Sequence, residues 1–247
     1  CQTSENGLKK KGDIQMAKIG VFFSAGYEEI EALTVVDLCR RAGIEVTMVS
    51  VDETAAVTGS HQITVQMDQL LSETDFDAFD LLVLPGGMPG TLHLEACDGL
   101  MEQLDRFYSA GKWVAAICAA PQIFGHRGYL KGRKATSFPS MEKELDGAFV
   151  THGAAEVDGN VITGRGMGCA IDFALKIIGC LISEEEAEDV IQEVFINFWK
   201  DNTFQKIQSV VTKTYLFRSV KNNCLNRLKK KDVLQDRLDV LREEVVE

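Results

Sequence analysis

No C-x-x-C pair occurs among the seven cysteines, at 1, 39, 97, 118, 169, 180 and 224, and the four histidines, at 61, 93, 126 and 152, stand at no spacing that a zinc site uses. Neither a metal centre nor a tight disulfide framework is expected, and scattered thiols of this kind fit a reducing, cytoplasmic compartment. No apolar run approaches the roughly 18 to 20 residues that a membrane-spanning helix needs, so no membrane partner is expected. Basic charge is also short: the net charge is −11, whereas nucleic-acid-binding domains usually present a basic face. Proline is scarce, with four in 247 residues, and two of them, Pro85 and Pro89, flank one glycine-rich stretch.

The charge is unevenly distributed. Residues 16–182 carry 12 Lys+Arg against 22 Asp+Glu, a balance of −10, while residues 200–231 carry 9 against 1, a balance of +8. Two segments of such different electrostatics read as two modules. Ahead of them, residues 1–15 are polar, with a Lys9-Lys10-Lys11 cluster and no signal-peptide core. They read as a disordered leader or an appended tail, with Met16 as the natural start of the patterned chain.

From Met16 short apolar runs alternate with amphipathic stretches. Lys18–Phe23, Ile44–Val51, Leu81–Pro85, Trp113–Ile117 and Asn160–Thr163 read as strands, and Glu28–Arg41, Leu92–Ala110 and Ala170–Leu181 as helices. Repeated β-α-β units of this length predict an α/β domain over 16–182, a doubly wound parallel sheet with helices on both faces. Ligands in such folds bind at the carboxyl ends of the strands.

Three strand ends carry chemistry. Ile117-Cys118-Ala119-Ala120-Pro121 puts a cysteine where a buried strand turns into a helix. A helix amino terminus favours thiolate over thiol, so a lowered Cys118 pKa is expected, although a cysteine in an apolar run is more often inert core. Leu84-Pro85-Gly86-Gly87-Met88-Pro89-Gly90 lets backbone N–H groups approach a ligand, but its spacing is not the dinucleotide fingerprint and by itself it is no more than a turn. Gly26-Tyr27-Glu28-Glu29-Ile30-Glu31 puts acids in a first helical turn, where most are expected to be solvated groups complementing the dipole, with one turned back over the sheet.

Together with Arg40-Arg41-Ala42-Gly43 and Ile162-Thr163-Gly164-Arg165-Gly166, these stretches resemble the ThiJ/PfpI superfamily, in the branch of the parkinsonism-associated protein deglycase and its bacterial relatives, over about residues 16–182. The resemblance implies a flavodoxin-like, class I glutamine amidotransferase-like sheet, Cys118 as nucleophile and Glu31 as the carboxyl hydrogen-bonded to it. It also implies a backbone hole from Gly87 and Ala119, with Gly86 and Arg165 shaping the pocket. A homodimer without cofactor or metal is implied, acting on methylglyoxal, glyoxal or glycated proteins. The protease-like branch has histidine after the cysteine; Ala119 stands here, which speaks against a peptidase. Phe138 occupies the place of a pocket histidine in the human branch member, so Glu31 is left to carry the acid and base steps. His126 and His152 read as surface or loop residues. The rival from another class is an oxidation sensor or chaperone using the same thiolate.

From Ser183 the chain departs from that family. Ser183-Glu184-Glu185-Glu186 opens a helix, and the sequence through Trp199-Lys200, together with Tyr215–Lys231, resembles region two of an extracytoplasmic-function sigma factor. The resemblance implies contacts to RNA polymerase and promoter DNA, with Arg218, Lys221, Arg227, Lys229, Lys230 and Lys231 as phosphate contacts; the bland alternative is a solvated basic face. A helix expected ahead of this region is missing from the resemblance, and no linker marks Leu181-Ile182-Ser183. Residues 183–247 therefore read as a helical tail, a partial module whose first helix covers the α/β core.

Overall fold

The computed structural model describes residues 16–190 and residue 192. The leader 1–15 and the basic candidates Arg218, Lys221, Arg227, Lys229, Lys230 and Lys231 lie outside the described residues.

The order is β1 (Lys18–Phe23), α1 (Glu29–Arg41), β2 (Glu45–Ser50), β3 (Ala56–Thr58), β4 (Thr64–Gln66), β5 (Gln69–Leu70), β6 (Leu81–Leu84), α2 (Gly90–Glu95), α3 (Asp98–Ser109), β7 (Trp113–Ile117), α4 (Pro121–His126), β8 (Lys134–Ala135), β9 (Phe149–Val150), β10 (Ala155–Asp158), β11 (Val161–Gly164) and α5 (Ala170–Leu181). The seven-stranded sheet runs β10-β11-β7-β6-β1-β2-β5.

Side chains alternate across the central strands and feed two apolar layers. Ile19, Val21 and Phe23, Leu81 and Val83, and Ala115 and Ile117 face α1 and α5, meeting Val35, Phe173 and Ile177. Phe22, Leu82 and Leu84, and Val114 and Ala116 face the other way, meeting Leu104, Phe107, Ile123 and Phe124 from α3 and α4. Burial on both faces is why these strands read as continuous apolar runs.

The structure departs from the expected elements in three places. The Leu92–Ala110 helix is two helices, because Cys97 leaves helical backbone (φ −85°, ψ 92°) between α2 and α3. The sheet is not wholly parallel: β10 pairs antiparallel with β11 through the turn at Gly159, whose φ is +60°. The β3–β4 hairpin, over Ala56–Thr58 and Thr64–Gln66, carries too few apolar residues to have been read as strands.

Residues 184–190 are helical, and the amide of Glu186 donates to Ser183 Oγ (3.1 Å), the expected cap. Ala187 and Val190 are buried in the same layer as α1 and α5. The compact unit that holds the sheet extends to Ile191.

Candidate active site

Cys118 follows β7 with φ +64°, left-handed backbone that a non-glycine residue adopts only when its surroundings impose it. Both of its peptide groups are held. Its N–H donates to Gly164 O (2.9 Å), and its carbonyl accepts the Phe138 N–H (2.8 Å). The side chain thus stands at the carboxyl end of the sheet.

Glu31, in the first turn of α1, is fully buried. Its Oε2 accepts the Gly86 N–H at 3.0 Å, and its Oε1 is buried with no backbone N–H on it. The Cys118 thiol is nevertheless close enough that a Glu31–Cys118 hydrogen bond perturbs both groups. Gly86 lies between them: a Cβ there would fall 2.5 Å from Glu31 Oε2 and 2.6 Å from the Cys118 Cβ. Gly87 has φ +93°, and a Cβ on it would lie 2.3 Å from the Glu28 amide nitrogen. Glycine is obligatory at both positions.

Burial pushes the Glu31 carboxyl up to about 7, with the Glu28 charge adding to the rise and the bonds to Cys118 and Gly86 opposing it. Burial also pushes the Cys118 thiol up, followed by the charge and hydrogen bond of Glu31, while the Ala119 N–H pulls it down. The expected lowering by a helix dipole is therefore corrected. Helix α4 begins three residues later, at Pro121, and has only six residues, too little dipole to offset desolvation beside a carboxylate. Two negative charges cannot share this dry spot, so the pair retains one proton between its members.

The expected site residues do not all converge. Ala119 directs its N–H at the sulfur. Arg165 is instead drawn to Glu142 Oε1 (3.3 Å) and His152 Nδ1 (3.2 Å). Phe138 is 48% exposed at the rim. His152 is exposed, while His126 is bound between Glu95 Oε1 (2.6 Å) and Glu144 Oε2 (3.3 Å).

Two features were missed. Gly166 faces the thiol, since a Cβ on it would lie 3.9 Å from Cys118 Sγ. Glu28 and Glu29 are not solvated: Glu29 is 4% exposed and accepts the His61 N–H (2.7 Å), and its Oε2 lies 3.0 Å from His61 Nδ1. Ser60 Oγ donates to Glu28 Oε2 (3.2 Å), leaving Glu28 Oε1 buried without a partner. Donor atoms of Glu28, Glu29 and His61 come within 4.8 Å of one another, but Glu29 and His61 are already spent on this brace of the loop between β3 and β4.

Residues 17–179 match the DJ-1/PfpI family. The chain belongs to that family. It is 35% identical to Protein dj-1beta of Drosophila melanogaster over 180 residues, 72% of this chain and 96% of the relative. It is 36% identical to Deglycase PYRAB04690 of Pyrococcus abyssi over 142 residues, 56% and 84%, and 37% identical to Protein DJ-1 homolog B of Arabidopsis thaliana over 175 residues, 70% and 40%. The chain thus spans about two-fifths of the Arabidopsis relative. Among solved structures it resembles Toxoplasma gondii DJ-1, oxidized, with a TM-score of 0.70, 33% identity, and coverage of 72% of this chain and 98% of that one.

Residues 171–233 match Sigma-70 region 2. The match starts in α5, upstream of where the sequence pattern placed it, so 171–179 fall in both matches. In the structure these residues belong to the DJ-1/PfpI unit, with Phe173, Ala174, Ile177 and Ile178 buried against the sheet.

Proposed function

We propose that this chain is a cofactor-free cysteine enzyme that converts methylglyoxal, glyoxal or their early adducts on protein side chains to hydroxy acids. The observation that carries this reading is a buried carboxyl set against a cysteine whose backbone is pinned at positive φ. The name of the Pyrococcus relative, a deglycase, supports it.

In the reacting form the proton of the pair sits on Glu31 and the negative charge on sulfur. Moving the proton to Glu31 removes the carboxylate charge that opposes the thiolate, and the carboxyl O–H and the Ala119 N–H then both donate to sulfur. The thiolate attacks the aldehyde carbon, forming a C–S bond, and the carbonyl oxygen takes the Glu31 proton to give a hemithioacetal; with a side-chain adduct the C–N bond breaks instead, and the leaving nitrogen takes that proton. Glu31, now a carboxylate, removes the hydrogen from that carbon and hands the proton to the neighbouring carbonyl oxygen, giving an enediol; it then takes the proton of the former aldehyde hydroxyl and delivers it to the second carbon, leaving a thioester. Water cleaves the thioester, releasing lactate from methylglyoxal or glycolate from glyoxal and restoring the thiol. A carboxyl near 7 suits both directions of transfer. In this reading the Ala119 and Gly87 N–H groups serve as oxyanion donors, each worth about 3 to 4 kcal/mol in such a role.

Peptide mass mapping after brief exposure to methylglyoxal tests the assignment. The trapped adduct is expected on Cys118. Adducts confined to other cysteines would remove the proposal's basis. A second reading, oxidation of Cys118 to a sulfinate in a sensor, is favoured by the oxidized state of the Toxoplasma structure. It predicts a two-oxygen mass gain at Cys118 under mild peroxide and no aldehyde turnover.

A further inference from the structure

The turn that supplies Glu31 also brings up a carboxylate for which the chemistry above has no use. Glu28 is anchored where the catalytic pair meets, its peptide N–H donating to Gly86 O at 2.9 Å. Its side chain is 15% exposed, and one of its two oxygens is buried without a partner. Among the described residues its ion-pair partner is the His61 imidazole, 3.7 Å from Glu28 Oε2 and closer to Glu29, at 3.0 Å. Arg165, next to Gly166, is held by Glu142. The field of Glu28 reaches both partners, raising the Glu31 carboxyl and the Cys118 thiol.

Exposed apolar side chains lie on the loops around Cys118. Met88, Phe138 and Met167 are 41%, 48% and 52% exposed, on the loops that carry Gly87, the Cys118-bound peptide of residue 138, and Gly166. An entering molecule displaces water from apolar surface there, and in that drier setting a charge acts more strongly than in bulk solvent.

We propose that Glu28 makes this site selective by substrate charge: Cys118 works on uncharged α-oxoaldehydes and on aldehyde adducts borne by cationic side chains, and it discriminates against aldehydes that carry an anionic group. The word substrate rests on the function proposed above. The charge selection does not, because it is a property of the approach to the sulfur.

The test uses the full chain and two alkylating agents of nearly equal size, neutral iodoacetamide and anionic iodoacetate. Rates are read at Cys118 by peptide mass and compared with those of N-acetylcysteine amide. Each ratio of amide to acetate cancels the ionisation state of the thiol, so it reports approach alone. The expected ratio at Cys118 exceeds that of the small thiol at least tenfold. It falls several-fold in Glu28→Gln and on raising the salt concentration. A ratio equal to that of the small thiol, or one that Glu28→Gln leaves unchanged, overturns the proposal. In parallel, kcat/KM for methylglyoxal should exceed that for an α-oxoaldehyde ending in a carboxylate by a similar factor. If neither aldehyde turns over, the enzymatic reading fails while the alkylation ratio still decides the charge selection.

Discussion

Glu31 reaches Cys118 across Gly86, at a spacing that leaves no room for a methyl group: the missing Cβ would lie 2.5 Å from the carboxylate oxygen and 2.6 Å from the cysteine Cβ. Gly86→Ala is therefore expected to part the pair. Thiol reactivity should fall at least tenfold, with about 1 to 3 kcal/mol of stability lost to overpacking. Alkylation kinetics beside urea unfolding check both, and an alanine variant with unchanged reactivity would mean the two groups do not act together.

The same burial makes Glu31 a stability switch. Its folded pKa, about 7, lies above the ordinary value of 4.5. A raised acid contributes stability that is full below the unfolded pKa and is lost as pH rises through the folded one. Glu31→Gln should thus be more stable than the parent above pH 7 and gain little at pH 5. The difference is bounded at roughly 3 kcal/mol by the size of the shift. His126, raised by Glu95 and then by Glu144, loses stability in the same direction, so only the difference between parent and variant is informative. Melting curves at pH 5 and 8 that shift in parallel would contradict the assignment.

Cys118 alkylation should gain a step near pH 7, as the first of the pair's two protons leaves and the remaining one is shared, and Glu31→Gln should move that step above 9, where a buried thiol without the carboxyl ionises. Iodoacetamide rates from pH 5 to 10 read this directly. Identical profiles would mean that the carboxyl does not govern the sulfur.

Chain ends make a further test. Truncation after Ile182 deletes Ala187 and Val190, 7% and 2% exposed in the core layer, and should cost about 2 kcal/mol or more. Truncation after Gln192 keeps both residues and should leave stability and thiol chemistry of the α/β unit near the parent. Equal melting temperatures for the two truncations would show that residues 184–190 add nothing.

Much of this was legible because buried strands announce themselves. Trp113–Ile117 and Ala170–Leu181 have the bounds read from the sequence, since one is a continuous apolar run and the other an apolar stripe of helical period. The direction of the Cys118 shift was not legible. A cysteine before a helix suggests a dipole, but the helix length and the depth of burial that decide the balance come only from the fold. Glu28 and Glu29 misled for a related reason: acids in a first turn look solvated until the loop bearing Ser60 and His61 is folded over them. The break at Cys97 falls two residues before Gly99, which stands inside α3, so that glycine alone did not mark it.

The most direct test of the account is lactate formation from methylglyoxal by the full chain, compared with Cys118→Ser and Glu31→Gln. The account predicts turnover by the parent, none by Cys118→Ser, and at least a hundredfold loss in Glu31→Gln with an unchanged circular dichroism spectrum. Lactate formed at the parent rate by Cys118→Ser would contradict it.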